Sequence, residues 1–243
     1  MTDVAKAGKP KATPMNKGVS QSGIAKSATA KTDTADAHWN TEWAGIAKDS
    51  KWLTPEEDVI TWAATLAPNA RILDLGAGVG RHAMWLAEQG FCVTALDAAP
   101  EGLARIAHLD GLETIQCRMD ALPFPDGHFD HVLSWNVIYH GDQDIVRRTT
   151  REIHRVLRPN GTFLGTMLSK RRLPHELGKY PGHEVGPNSW VFEAPGTDKI
   201  HPHYFCSASE LLALFDGFEP LWLSDREHEK PGSWHWHVTM ERL

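Results

Sequence analysis

Apolar residues in this chain gather in short runs separated by amphipathic stretches. Ile72, Leu73 and Leu75 form one run, and Cys92 to Asp97 another. Glu113 to Arg118, Phe129 to Trp135 and Thr162 to Leu168 continue the series. Each has the length of a buried strand. Between them the apolar positions fall at helical spacing. Ala83, Met84, Leu86 and Ala87 precede Gly90, a further helix reaches about His108, and Asp142 to Leu157 turns Ile145, Thr149, Ile153, Val156 and Leu157 inward. Strand and helix in alternation predict an α/β sheet. Near the C-terminus, Ser207-Ala208-Ser209-Glu210 is a capping box opening a helix through Phe215 that stops at Gly217. Phe218 to Ser224 and Trp234 to Leu243 predict a terminal strand pair. Upstream, Thr54-Pro55-Glu56-Glu57 reads as an N-cap, an N1 proline and an acidic first turn.

Two segments lack this patterning. Residues 1–37 hold almost no large apolar side chain, which predicts a disordered tail. Composition changes at His38-Trp39-Asn40-Thr41-Glu42-Trp43, where two tryptophans share a helix face, either over a cleft or in a core. Residues 38–243 are then one domain. Within it, 169 to about 204 are rich in Gly, Pro, Lys and His, and read as a lid.

A chain of 243 residues is long enough for one such domain with additions. Its net charge of −6 argues against nucleic acid as the partner. The arginines 147, 148, 151, 155 and 158 read as a solvated helix face. No apolar run reaches the ~20 residues that span a bilayer, and no secretory signal opens the chain. Three separated cysteines, with Cys92 and Cys117 in predicted strands, read as buried reduced thiols and suggest a cytoplasmic setting.

The chemistry concentrates where the first strand breaks into Asp74-Leu75-Gly76-Ala77-Gly78-Val79-Gly80. Strand, glycine turn and helix bring a ligand against bare backbone and free N–H groups. The dinucleotide pattern would need Gly or Ala at position 81, which holds Arg81. This Asp-x-Gly-x-Gly-x-Gly turn resembles the class I S-adenosylmethionine-dependent methyltransferases. Asp97 follows Gly80 by 17 residues, at the end of the second strand, and Asp120-Ala121 follows the third. Arg158-Pro159-Asn160-Gly161 resembles the family's Arg/Lys-Pro-Gly-Gly turn.

The resemblance implies a Rossmann-like, seven-stranded, mostly parallel sheet in the order 3-2-1-4-5-7-6, flanked by helices. It implies S-adenosyl-L-methionine as cofactor and a small-molecule acceptor. It assigns the cofactor to Asp74, Gly76, Ala77, Gly78, Gly80, Asp97, Ala98, Asp120, Ala121 and Asn136. Asp97 would take the ribose hydroxyls, Asp120 the adenine amino group and the Ala121 N–H the ring nitrogen. No [Asp/Asn]-Pro-Pro-[Tyr/Phe] pattern follows the fourth strand. An RNA or protein methyltransferase, a non-catalytic S-adenosylmethionine-binding homologue and a nicotinamide oxidoreductase remain as alternatives. For catalysis the candidates are Tyr139, His140 and His203, as groups that orient the acceptor or take its proton. His235 and His237 share one strand face, opposite Val238 and Met240. His-x-His is also a metal-ligand spacing, but no carboxylate or cysteine cluster lies beside it in the sequence, so no metal is expected.

Overall fold

The structure is a computed structural model that describes residues 34–109 and 111–243. Five parallel strands form its centre: β1 (Arg71–Leu75), β2 (Cys92–Asp97), β3 (Leu112–Gln116), β4 (Phe129–Ser134) and β5 (Leu157–Ser169). They lie in the order β3-β2-β1-β4-β5. The last strand of the chain, β10 (Trp234–Arg242), runs antiparallel along β5, and β9 (Phe218–Glu227) runs antiparallel along β10. These seven strands have the 3-2-1-4-5-7-6 order.

Ten strands are present among the described residues, because the expected lid is itself structured. It forms β6 (Gly182–Gly186), β7 (Ser189–Phe192) and β8 (His203–Cys206), an antiparallel set. β8 then joins the main sheet by pairing with the very end of β5, at Leu168 and Ser169.

The helices are α1 (Asp36–Ala44), α2 (Glu57–Ala63), α3 (Arg81–Glu88), α4 (Pro100–Ala104), α5 (Gln143–Val156), α6 (Leu173–Leu177) and α7 (Ala208–Leu214). The capping box of α7 is formed, with Ser207 and Glu210 bonding reciprocally. No described helix is long and apolar enough to cross a membrane.

Alternation along the strands builds a core on each face of the sheet. Leu73, Leu75, Val132 and Phe163 pack with Ile145, Ile153 and Val156 of α5. Ile72, Leu133 and Leu164 face the other way, toward Val59, Leu86 and Leu103. Val238 and Met240 join the first of these cores.

Several local expectations shift. Helix α2 begins at Glu57, and Thr54 instead closes a 3-10 turn, Lys51–Leu53, capped by Ser50. Tertiary ties account for this: Glu56 is held by Arg81 at 2.8 Å, and its N–H reaches His82. β3 stops at Gln116 because Arg118 turns to meet Asp36 and Asp120. Cys92 is exposed at the start of its strand and Cys117 half-buried; of the three thiols only Cys206 is buried. Residues 1–33 of the expected tail lie outside the described residues, whereas Asp36 and Ala37 already belong to α1.

Helix α4 lies directly on the glycine turn. A Cβ on Gly102 would sit 2.3 Å from the Gly78 carbonyl oxygen, and backbone cannot rotate away as a side chain would. Gly102→Ala is therefore expected to destabilise the fold by about 1–3 kcal/mol, as overpacking does. Chemical denaturation checks this, and wild-type stability would contradict the contact.

Candidate functional site

The glycine turn leaves β1 with positive φ at Gly76 (78°) and Gly78 (56°). Space is as tight as the torsion is unusual. A Cβ on Gly76 would lie 2.4 Å from Val137, and one on Gly78 2.9 Å from the Trp43 ring. Asp97 pins the turn from the end of β2. Its Oδ2 accepts from the Gly78 N–H at 2.7 Å and its Oδ1 from the Ala99 N–H at 2.8 Å. Burial raises the Asp97 pKa despite these bonds. Beneath the turn, Asp74 is 1% exposed, with Oδ2 unpaired among the described residues. Burial pushes its carboxyl up to about 7, against the pull of Arg81 and the Ala83 N–H.

The turn opens onto a cavity of about 800 Å³, within the usual ~300–1,000 Å³ of small-molecule sites. Of the expected cofactor residues, Gly76, Ala77, Gly78, Asp97, Ala98 and Asn136 line it. Asn136 has φ 62°, and its N–H donates to Thr166 at 2.8 Å. Trp39 and Trp43 of α1 stack at 5.1 Å and, with Trp52, form one wall. The aromatic helix therefore serves both as cover and as packing. Asn40 of α1 also accepts from the Glu101 N–H of α4 at 2.9 Å.

Three expected cofactor residues besides Asp74 stand outside this wall. Gly80 faces Ile106. Asp120 is drawn away by Arg148 at 2.8 Å and Arg118 at 3.2 Å, so Cys117 and Met119 form the wall there instead. The Ala121 carbonyl takes the Cys117 thiol.

At the other end stand Tyr139, His140 and the histidines of β10. Burial raises the Tyr139 pKa, so the phenol keeps its proton. Arg172 Nη1 donates to His235 Nε2 at 3.0 Å, while His235 Nδ1 donates to the Ser233 carbonyl at 2.9 Å. That pattern is a neutral imidazole, and burial carries its pKa down to about 2. His228 stacks on it at 3.8 Å and is lowered to about 4, again by burial. His237 Nδ1 lies 2.9 Å from Asp58, which also pairs with Arg226.

His203 lies behind the wall, facing His140. The Nε2 atoms of both meet the same oxygen of Asp198, at 3.2 and 3.3 Å. The carboxylate at His237 thus comes from Asp58 of α2, and the one between His140 and His203 from Asp198, five residues before His203.

Sequence reasoning missed Asp58, Arg172, Arg226 and Asp198. Arg171-Arg172 follows the fifth strand, where α/β sheets place their sites, and that signal was readable. Asp58 carries no such mark, since its partner His237 is 179 residues away.

Comparison with known proteins agrees with this geometry. Residues 73–165 match a family model described as a methyltransferase domain. An uncharacterized methyltransferase of Synechocystis is 31% identical over 131 residues, covering 54% of each chain. The glycine/sarcosine/dimethylglycine N-methyltransferase of Actinopolyspora halophila is 35% identical over 146 residues, covering 51% of this chain and 25% of that one. The match therefore spans about half the length, or less, of these curated relatives. At the level of fold, the chain superposes on the Burkholderia thailandensis 1,6-didemethyltoxoflavin-N1-methyltransferase with TM-score 0.64 and 21% identity, over 96% and 94% of the two chains. That structure holds 1,6-didemethyltoxoflavin and S-adenosylhomocysteine.

Asp74 gives the fold a pH signature. Its folded pKa of about 7 lies above the ordinary 3.8, so the folded state keeps a proton that the unfolded chain releases. The stability it contributes is full below about pH 4 and is lost as pH rises through about 7. In urea unfolding across that window, wild type should lose stability relative to Asp74→Asn, by on the order of a few kcal/mol. Parallel curves would contradict the buried-carboxyl assignment.

Proposed function

We propose that this chain is a class I S-adenosylmethionine-dependent methyltransferase, its residues 73–165 matching a methyltransferase domain, and that it transfers a methyl group from S-adenosylmethionine to a small-molecule acceptor. The observation that carries this reading is the Asp97 carboxylate, bound to the glycine turn at the edge of the large cavity. A carboxylate has about four acceptor positions. Two are used by Gly78 and Ala99, which leaves capacity for a pair of ribose hydroxyls. Gly76, Ala77 and Gly78 present backbone without side chains or with a single methyl. Leu96, Ala98 and Met119 offer an apolar bed for the adenine, without help from Asp120.

The cofactor supplies a sulfonium methyl that is already activated for displacement. What remains for the chain is to align the nucleophile and exclude water, and such positioning lowers a barrier by as much as about 7–11 kcal/mol. Trp39, Trp43 and Trp52 shield the cavity. Tyr139 and His140, backed by His203, position the acceptor between the glycine turn and the histidine-lined end. His228 and His235 are neutral there, and with both nitrogens of His235 engaged by Arg172 and the Ser233 carbonyl they line that end as uncharged rings that shape the acceptor site.

A small acceptor is supported by two observations. The cavity has the size of a metabolite site. The arginine row of α5 is largely committed internally, with Arg148 on Asp120, Arg155 on Glu152 and Arg158 on Asp130. That leaves little of the basic stripe an RNA would need. Two of the proteins to which this chain is similar are named for small acceptors, glycine and its methylated forms in one and 1,6-didemethyltoxoflavin in the other.

Two measurements test the reading. Asp97→Ala should weaken S-adenosylhomocysteine binding by about 1.5–3 kcal/mol, the worth of charge-assisted bonds, in calorimetry on protein of wild-type circular dichroism. Unchanged affinity would remove the ribose role. Incubation with labelled S-adenosylmethionine and a metabolite panel should yield a labelled product. With the acceptor so found, His140→Ala should lower kcat about a hundredfold, the scale of a misplaced reactant, while leaving S-adenosylhomocysteine affinity near wild type. Parallel loss of both would put His140 in the cofactor site.

A further inference from the structure

His140, Asp198 and His203 come from three separate elements, yet they aim three ligand atoms at one point. Nε2 of His140 and Nε2 of His203 stand 3.2 and 3.3 Å from Oδ2 of Asp198. All three atoms lie within 4.8 Å of one another. The other nitrogen of each ring is already used: Nδ1 of His140 donates to the Val137 carbonyl at 2.8 Å, and Nδ1 of His203 to the His201 carbonyl at 2.9 Å. A carbonyl only accepts, so Nδ1 carries the hydrogen in both rings. In each neutral imidazole, Nε2 then turns a lone pair toward the carboxylate. Two lone pairs facing an anion are mutually repulsive unless a cation or added protons lie among them. A backbone carbonyl that fixes the Nδ1–H tautomer is the usual partner behind a metal-ligating imidazole.

The spacing suits an ion. Ligands about 2.0–2.1 Å from a tetrahedral centre are themselves about 3.3 Å apart. The backbone holds this arrangement. His140 and His203 are partners in an antiparallel bridge, flanked by Gly141 N–H to Pro202 at 2.8 Å and Tyr204 N–H to Tyr139 at 2.9 Å. Asp198 opens a 3-10 turn, Asp198–Ile200, which Thr197 caps. Both histidines are 5% exposed. The neighbouring cations, Arg172 and Lys199, are both directed to buried Glu176.

We propose that His140, Asp198 and His203 bind a divalent first-row transition-metal ion through the two Nε2 atoms and Oδ2. Nitrogen and carboxylate donors without thiolate suit zinc, cobalt, nickel or ferrous iron, and they suit magnesium and calcium poorly. Three protein ligands leave a coordination position open. His140 and Asp198 both line the large cavity, so that position faces the space assigned to the acceptor. An oxygen, nitrogen or sulfur of the acceptor could complete the shell and be held there for methylation. Only this use of the ion rests on the methyl-transfer reading; the site itself does not.

The test uses the untagged full chain, stripped with a chelator and titrated with Co²⁺. One ion per chain by elemental analysis, with visible d–d absorption and a raised Tm, is the expected result. Asp198→Asn, nearly isosteric, and His203→Ala should each weaken Co²⁺ binding by about a hundredfold or more, at least the scale seen when outer-shell partners are lost. His183→Ala, at an exposed position, should bind as wild type does. Substoichiometric uptake by the wild-type chain would overturn the proposal, leaving a proton-linked cluster in its place. So would wild-type affinity in a folded Asp198→Asn. Binding of S-adenosylhomocysteine, measured on the same stripped protein, reports on the methyl-transfer reading separately.

Discussion

One carboxylate orders the glycine-turn end of this molecule. Asp97 gives one oxygen to the turn after β1 and the other to the start of α4. Holding a charged group there costs solvation, and charge-assisted bonds to backbone N–H groups offset that cost. Once the turn and α4 share this anchor, Gly102 can rest against the Gly78 carbonyl with no side chain between them. Helix α1 then covers both, through the Trp43 ring on Gly78 and the Asn40 side chain on Glu101. The position of three elements is thus tied to a side chain that also faces the cavity. A ligand that engages Asp97 engages the joint of the fold.

The far end of the cavity works by balance. Its guanidinium groups do not stand bare: Arg172 meets Glu176 and Arg226 meets Asp58. Between those pairs lie imidazoles that burial keeps neutral. Such a surface offers lone pairs and polarisable rings, with little net charge. It suits a small ligand that brings its own charge or polar groups better than it suits binding a large polyanion.

Much of the fold was legible because its signals are local. Cys92–Asp97 has the bounds expected from its apolar run, and the Ser207 capping box is formed as written. The 3-2-1-4-5-7-6 order came from the resemblance carried by the glycine turn and its downstream acids. The part of the cavity wall from Gly76 to Asn136 was legible for the same reason. Asp120 stands outside the cavity wall, and a motif position does not show such neighbours as Arg148, which reaches it from 28 residues away. Thr54 misled because a good cap sequence yields to tertiary ties, here Glu56 with Arg81 and His82. The lid was read as irregular because its strands are only four or five residues long and are separated by stretches rich in Gly, Pro, Lys and His, although Trp190-Val191-Phe192 and Tyr204-Phe205 are short apolar runs. Gly186-Pro187-Asn188, with Asn188 at φ 60°, marked its hairpin turn.

That lid explains why the second half of the site could not be read from the chain alone. Its buried side chains, Phe192, Tyr204 and Phe205 among them, join the core of the main sheet, so its order comes from where it docks. β8 adds only two pairs to β5, at Leu168 and Ser169. Further ties are the His140–His203 bridge with its flanking Gly141–Pro202 and Tyr204–Tyr139 bonds, the Gln143 N–H on Ser189, and Asn188 on Glu210. Those ties deliver Asp198 and His203 to His140. Docking the lid and assembling the cluster are therefore one event. A ligand that holds the three side chains together stabilises this docked arrangement, since it binds only where they meet.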